Sequence, residues 1–269
     1  MESFELASIR DALAPLARQA AAVILEFYQD GAALQEVTKA DNTPVTAADL
    51  AAHRLIVDGL AVHGLPVLSE ESAEDAVERR DWPAFWMVDP LDGTREFLER
   101  TGEFSINIAL IEGHRAVLGL IAIPVTGELY LGGPGSGAWR LEREEWTPVC
   151  TRRLPEAGPV GVLTSRRHRG AALDDYLGRL EQSFPLERHH SGSAIKFCRL
   201  AEGRADVYPR FSPCSEWDTA AGQALLEGAG GAVLGTDGKP LRYNARDTLL
   251  SPHFLALADP DHALWSTLS

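Results

Sequence analysis

The chain has 269 residues, of which 45% are hydrophobic and 24% charged, and a formal net charge of −14. This length and composition suit a globular protein with a sizeable core, built as one large domain or as two lobes sharing an interface. The acidic balance argues against a nucleic-acid polymer as partner, because polyanion binding needs clustered Lys and Arg; a small phosphorylated ligand stays compatible if metal ions supply the positive charge.

Leu6, Ile9, Leu13, Leu16, Ala20, Val23, Ile24 and Phe27 recur at steps of three and four, which predicts a long first helix. That segment lacks the basic start and apolar centre of a signal peptide, and no apolar run reaches the roughly eighteen residues of a membrane span, so a soluble protein is expected. A break follows at KADNTPVTAAD. Pro44 biases Thr43 away from helical geometry, and Thr46 followed by Asp49 three residues on resembles a helix N-cap, so a second helix is predicted from about Thr46 to Val62. Asp49 in its first turn reads equally well as a capping acid.

From Pro66 the pattern turns to strands: PVLSEES and FWMVDP are apolar runs ending in acids. FSINIALIEG and RAVLGLIAIPV, joined at Gly113 and His114, read as a hairpin, and GELYLGG and GAWRLE continue the meander. Pro and Gly then rise between Arg153 and Pro159, which places a lobe boundary there and divides 1–155 from 156–269. In the second half, VGVLTS, FPLERHH, ADVYP and GAVLG read as strands and Gly170–Leu180, Ser193–Glu202 and Trp217–Gly228 as helices, an alternation that argues for helices layered on a sheet. Strand GAVLG ends that predicted series. Cys150, Cys198 and Cys214 form no C-x-x-C pair, so a reducing compartment is expected. The adjacent His189 and His190 have no zinc-ligand spacing around them and read as surface or loop residues.

Four acids share one context: Glu70 and Asp89 end apolar strands, Asp92 follows closely, and Asp218 opens a late helix. Like charges gathered at buried strand ends repel, and hard oxygen ligands of this kind suit Mg²⁺ or Mn²⁺, which would remove the repulsion. Each position also has an ordinary reading. Asp92–Gly93 is a turn dipeptide, Glu70–Glu71–Ser72 a solvated loop and EWDTAAGQALLEGAGG a capped Ala-rich helix. Against the turn reading, Pro90 removes a ladder donor and GTREF continues in helix-compatible residues. Backbone N–H groups of Gly93 and Thr94 at a helix start can cradle a phosphate beside the acids. Metals and an anion cradle side by side describe phosphoryl chemistry.

SEES at Ser69–Ser72, WMVDPLDGTREF and EWDTAAG together resemble the three signature segments of the inositol monophosphatase superfamily of Mg²⁺-dependent, lithium-sensitive phosphatases. DGTREF followed by TGEFSINIALIE, with SGSAIKFCRLAEGRADVYPRF later, is similar to the CysQ-type 3'(2'),5'-bisphosphate nucleotidases, which take the 3'-phosphate from 3'-phosphoadenosine 5'-phosphate, a by-product of sulfate assimilation. The resemblance spans roughly Lys39 to Asn244, and Arg95 stands where many members carry Lys. It implies an α/β (α+β) fold, the layered αβαβα sandwich of the inositol monophosphatase and fructose-1,6-bisphosphatase type. It implies metal ligation by Glu70, Asp89, Asp92, Asp218 and the Leu91 carbonyl, with two or three Mg²⁺ per site. Thr94 with Asp49 would activate the attacking water, aided by Glu70, and Gly93 and Thr94 would hold the scissile phosphate. Ser191, Gly192, Ser193, Lys196 and Arg210 are the remaining candidates for nucleotide contacts, Lys196 reading equally as a helix-surface charge. A cytoplasmic enzyme is expected, with peripheral association on the inner membrane face and homodimers both known in the family. The alternatives are an inositol monophosphatase or sugar bisphosphatase and, more distantly, a non-catalytic metal-dependent nucleotide sensor.

Overall fold

The computed structural model describes residues 6–29, 37–38, 44–72, 75–156, 158–167 and 170–265. The apolar stripe of the first helix, α1 (Leu6–Gln29), buries Ile9, Leu13, Ala17, Ala20 and Ile24. The segment read only as a break contains a two-residue antiparallel pair, β1 (Val37–Thr38) and β2 (Pro44–Val45). Helix α2 (Ala47–Leu60) follows, shorter than predicted because Ala61–His63 tightens into a 3₁₀ turn that Gly64 ends with φ +67°. Both helices share one core with Trp86, Val88, Ile106, Ile108, Leu110, Leu118 and Leu120.

Those partners belong to a seven-stranded sheet running in chain order: β3 (Val67–Ser69), β4 (Ala84–Asp92), β5 (Ser105–Glu112), β6 (Arg115–Ile123), β7 (Glu128–Gly133), β8 (Gly137–Glu142) and β9 (Glu145–Pro148). Only the β3–β4 pair is parallel. The short helices α3 (Ala76–Arg79) and α4 (Thr94–Leu98) flank β4. The predicted β5–β6 hairpin turns at Gly113 and His114, both at positive φ, the geometry that matches a two-residue turn to strand twist.

A second sheet is formed by β10 (Val160–Thr164), β11 (Leu186–His190), β12 (Val207–Arg210), β13 (Ala232–Gly235) and β14 (Phe254–Leu257) in the order β11-β10-β12-β14-β13. Strand β14 corrects the expectation that GAVLG ends the series: it lies between β12 and β13, antiparallel to both. Helices α6 (Ile195–Ala201) and α7 (Trp217–Gly228) fill the space between the sheets, where Phe197, Leu200, Ala220, Ala221 and Ala224 pack with Phe85, Met87 and Ile121 on one side and Tyr208, Val233 and Phe254 on the other. Helix α5 (Ala171–Glu181) covers the outer face of the second sheet through Tyr176, Leu177 and Leu180. The layers therefore run helix, sheet, helix, sheet, helix, the αβαβα sandwich that the motifs implied.

The central layer is close to backbone contact with the first sheet. A Cβ on Gly119 of β6 would lie 2.1 Å from the Ala221 carbonyl of α7. That approach sets the height of the α7 N-terminus, and with it Asp218, against the end of β4.

Candidate active site

In the β4–β5 ladder Asp89 faces Asn107 and Asp92 faces Ser105. Three steps along β4 match two along β5, so a β-bulge falls across Pro90 and Leu91. Side chains alternate along a strand, and acids three apart would otherwise point to opposite faces. The bulge brings both to the face carrying Phe85 and Met87, the one covered by α7. Pro90, which has no N–H, sits where the ladder is already interrupted.

Asp218, in the first turn of α7, completes a group in which carboxylate oxygens of Asp89, Asp92 and Asp218 lie within 4.8 Å of one another. Glu70, just past β3, lines the same cleft of about 340 Å³ and its side chain bonds to that of Asp89. Burial raises all three aspartates above the usual carboxylate range, Asp218 up to about 8, and their mutual repulsion raises Asp89 and Asp218 further. Asp92 is raised by burial and held back by Lys196, by the Asn107 side chain and by the Ala194 N–H. Four acids lining one cleft, all offering hard oxygen donors, fit a divalent cation by their chemistry.

Thr46 and Asp49 form the predicted cap: Asp49 Oδ2 accepts from the Thr46 N–H at 2.8 Å and from its hydroxyl at 2.5 Å. The other oxygen, Oδ1, lies 3.3 Å from Thr94 Oγ1, which also reaches the Leu91 carbonyl at 3.3 Å. Asp49 is therefore both a capping acid and a partner of Thr94. Burial pushes it up to about 6, with the Thr46 bonds opposing. Gly93 takes φ +91°, a left-handed conformation that costs glycine little, and turns the chain from β4 into α4. The first N–H groups of α4 have no intrahelical acceptor, and Gly93 and Thr94 line the cleft.

Across the cleft stand residues from the second sheet. Helix α6 begins at Ile195 rather than Ser193, because Ser193 sits at φ +43° and Ala194 gives its N–H to Asp92 Oδ2 at 2.6 Å. Lys196 is buried at 3% exposure, not a helix-surface charge, and donates to the carbonyls of Ser191 (3.1 Å) and Ser193 (2.6 Å). Burial pulls it down to about 8 while Asp92 opposes. Gly192, Ser193, Lys196 and Arg210 line the cleft; Ser191 faces a neighbouring cavity and meets this site only through its carbonyl. His189 and His190 lie on edge strand β11, half-buried and exposed.

Three contacts were not read from the sequence. Asn107 donates to Asp92 at 3.3 Å, Ser105 Oγ lies 3.5 Å from the same carboxylate, and Glu103 accepts from the Gly192 N–H at 3.1 Å. The first two carried a signal: polar residues two apart in an otherwise apolar strand place themselves on one buried face.

A sequence model of the inositol monophosphatase family matches residues 5–263. The chain is 43% identical over 246 residues to the 3'(2'),5'-bisphosphate nucleotidase CysQ of Escherichia coli (strain K12), covering 91% of this chain and 97% of that protein. The crystal structure of CysQ from Bacteroides thetaiotaomicron, a bacterial member of the inositol monophosphatase family, is 40% identical, with a TM-score of 0.80 over 92% of this chain and 97% of that one. Inositol monophosphatase from Anabaena is 27% identical, with a TM-score of 0.76 over 98% and 96%.

Proposed function

Because the chain belongs to the inositol monophosphatase family, we propose that it is a metal-dependent phosphatase that hydrolyses the 3'-phosphate of 3'-phosphoadenosine 5'-phosphate, releasing AMP and phosphate. The observation that carries the reading is the meeting of Asp89, Asp92 and Asp218 within 4.8 Å, in a cleft that Lys196 and Arg210 also line. The similarity to CysQ nucleotidases supports this substrate. In the same reading, removal of the nucleotide would serve sulfate assimilation.

Glu70, Asp89, Asp92 and Asp218, with the Leu91 carbonyl, would hold the cation, which we take as two or three Mg²⁺. Bound there, it supplies positive charge to the phosphoryl oxygens and lowers the pKa of the attacking water. The chain's own residues do the rest. Gly93 and Thr94 present backbone N–H groups to the scissile phosphate. The Thr94 hydroxyl orients the water, passes its own proton to Asp49 and takes the proton of the water, and Glu70 at the cluster edge assists as acceptor. Lys196 and Arg210 offset the acids from the opposite wall and orient the nucleotide. No helix among the described residues is long and apolar enough to cross a membrane. A cytoplasmic location belongs to the same proposed reading.

Phosphate release in Mg²⁺ from a panel of adenosine 3',5'-bisphosphate, inositol 1-phosphate and fructose 1,6-bisphosphate tests the reading. The adenosine bisphosphate should have the highest kcat/KM. Faster hydrolysis of inositol 1-phosphate or the sugar bisphosphate would overturn the substrate, and saturable nucleotide binding without release would point to a sensor.

A further inference from the structure

Asp92 is gripped from β5 and from the start of α6, and both grips take the same oxygen. Asn107 Nδ2 donates to Asp92 Oδ2 at 3.3 Å, and the Ala194 N–H donates to it at 2.6 Å. A carboxylate oxygen offers about two lone-pair sites, so these donors fill Oδ2 and leave Oδ1 for the cleft that Asp92 lines. Asn107 stands directly across the ladder from Asp89, yet its amide reaches diagonally to Asp92.

Ser105 decides which way that amide points. Its hydroxyl has one proton and two acceptors in reach, Asn107 Oδ1 at 3.0 Å and Asp92 Oδ2 at 3.5 Å. The shorter contact takes the proton, which keeps the amide oxygen on Ser105 and the amide nitrogen on Asp92. Turned over, the amide would set its oxygen against the carboxylate. Ser105 and Asn107 are buried and alternate in sequence with the buried apolar residues Phe104, Ile106 and Ile108. Two polar side chains at such depth cost stability unless bonded, and the partner that this pair finds beyond itself is Asp92.

Resting on the metal-dependent reading above, we propose that Ser105 and Asn107 are positioning residues for Mg²⁺: Ser105 orients the Asn107 amide, and the amide fixes the Asp92 carboxylate so that Oδ1 is the oxygen presented beside Asp89 and Asp218. The pair works in series, Ser105 through Asn107. Without the amide, Asp92 loses one of the two donors that stop its rotation about Cβ–Cγ, and a bound metal has to impose that order itself. Metal affinity then falls although every ligand is still in the chain.

The test titrates Mg²⁺ by calorimetry, without substrate, into wild type, Asn107→Leu, Ser105→Ala, Ser105→Thr and the Ser105→Ala/Asn107→Leu protein. Asn107→Leu should raise the Mg²⁺ Kd about 10–100-fold, the usual effect of losing the partner behind a metal ligand. Ser105→Ala should raise it by a smaller factor, and Ser105→Thr, which keeps the hydroxyl, should bind as wild type does. The double variant should match Asn107→Leu, because a residue that works through another has no effect once that one is gone. Nucleotide KM at saturating Mg²⁺ should change less than the Mg²⁺ Kd, whereas a merely structural pair would shift both and its single effects would add. If Asn107→Leu does not fold, Ser105→Ala, which deletes one oxygen, and Ser105→Thr decide the matter. Unchanged Mg²⁺ affinity in Asn107→Leu or in Ser105→Ala, equal weakening by Ser105→Thr, or additive single effects would overturn the proposal while wild-type binding upholds the metal reading. Wild type that takes up no Mg²⁺ removes that reading, and this inference with it.

Discussion

Thr94 Oγ1 lies 3.3 Å from Asp49 Oδ1 across 45 positions of sequence, joining the first turn of α2 to the start of α4. In the phosphatase reading this pair is the proton path from water. Thr94→Ala should lower kcat about 10²–10⁴-fold with KM little changed, and Thr94→Ser should keep most of the rate. Burial holds Asp49 up to about 6, so kcat should rise as pH increases through that value, and Asp49→Asn should remove this limb. A pH profile of the variant with the limb intact would exclude Asp49 as acceptor.

Asp49 also caps α2 through both bonds to Thr46. Asp49→Ala should therefore cost about 1 kcal/mol of stability, while Thr94→Ala, which breaks no cap, should leave chemical denaturation nearly unchanged. Urea unfolding of the two variants separates the roles.

The acid cluster makes a prediction about the metal-free protein. Asp218 is pushed up to about 8 and Asp89 well above its usual value, so each holds its proton more tightly folded than unfolded. Their contribution to stability is full at acid pH, below the unfolded carboxylate range, and is lost as pH rises toward about 8. The melting temperature without metal should fall between pH 5 and pH 8, and Mg²⁺ should restore more at the upper end. Asp218→Asn should flatten the metal-free decline and weaken the Mg²⁺ response; a pH-independent Mg²⁺ increment would contradict the assignment.

Asp92 should behave as a ligand rather than as packing. Asp92→Ala is expected to abolish turnover while the far-ultraviolet circular dichroism stays that of the parent. Loss of the folded spectrum would show that its bonds to Ala194 and Asn107 hold the sandwich together.

Gly119 tests the seating of α7. A methyl group there would meet the Ala221 carbonyl at 2.1 Å, so Gly119→Ala should cost about 1–3 kcal/mol and, by moving Asp218, weaken Mg²⁺ binding as well. Calorimetry would detect both effects. Destabilisation with unchanged Mg²⁺ affinity would mean that α7 gives way elsewhere.

Local pattern determined much of this molecule. The run FWMVDP specified a buried strand, Gly113–His114 a hairpin turn, and Trp217–Gly228 a helix with the predicted bounds. Each rests on neighbours in sequence: a continuous apolar run, a turn dipeptide tolerant of positive φ, an acid at a helix start. The acids Glu70, Asp89, Asp92 and Asp218 were recognisable for the same reason, as charges closing apolar segments. What tertiary structure decided is how distant segments share space. Strand β14 owes its place to pairing with β12 and β13 on both sides, which a four-residue apolar run cannot announce. The bulge at Pro90–Leu91 turned two acids to one face, close packing at Gly119 brought Asp218 to them, and burial converted Lys196 from a plausible surface charge into a cleft cation. Periodicity encodes which side of an element is apolar; which elements meet, and the fields their charges then feel, follow only from packing in three dimensions.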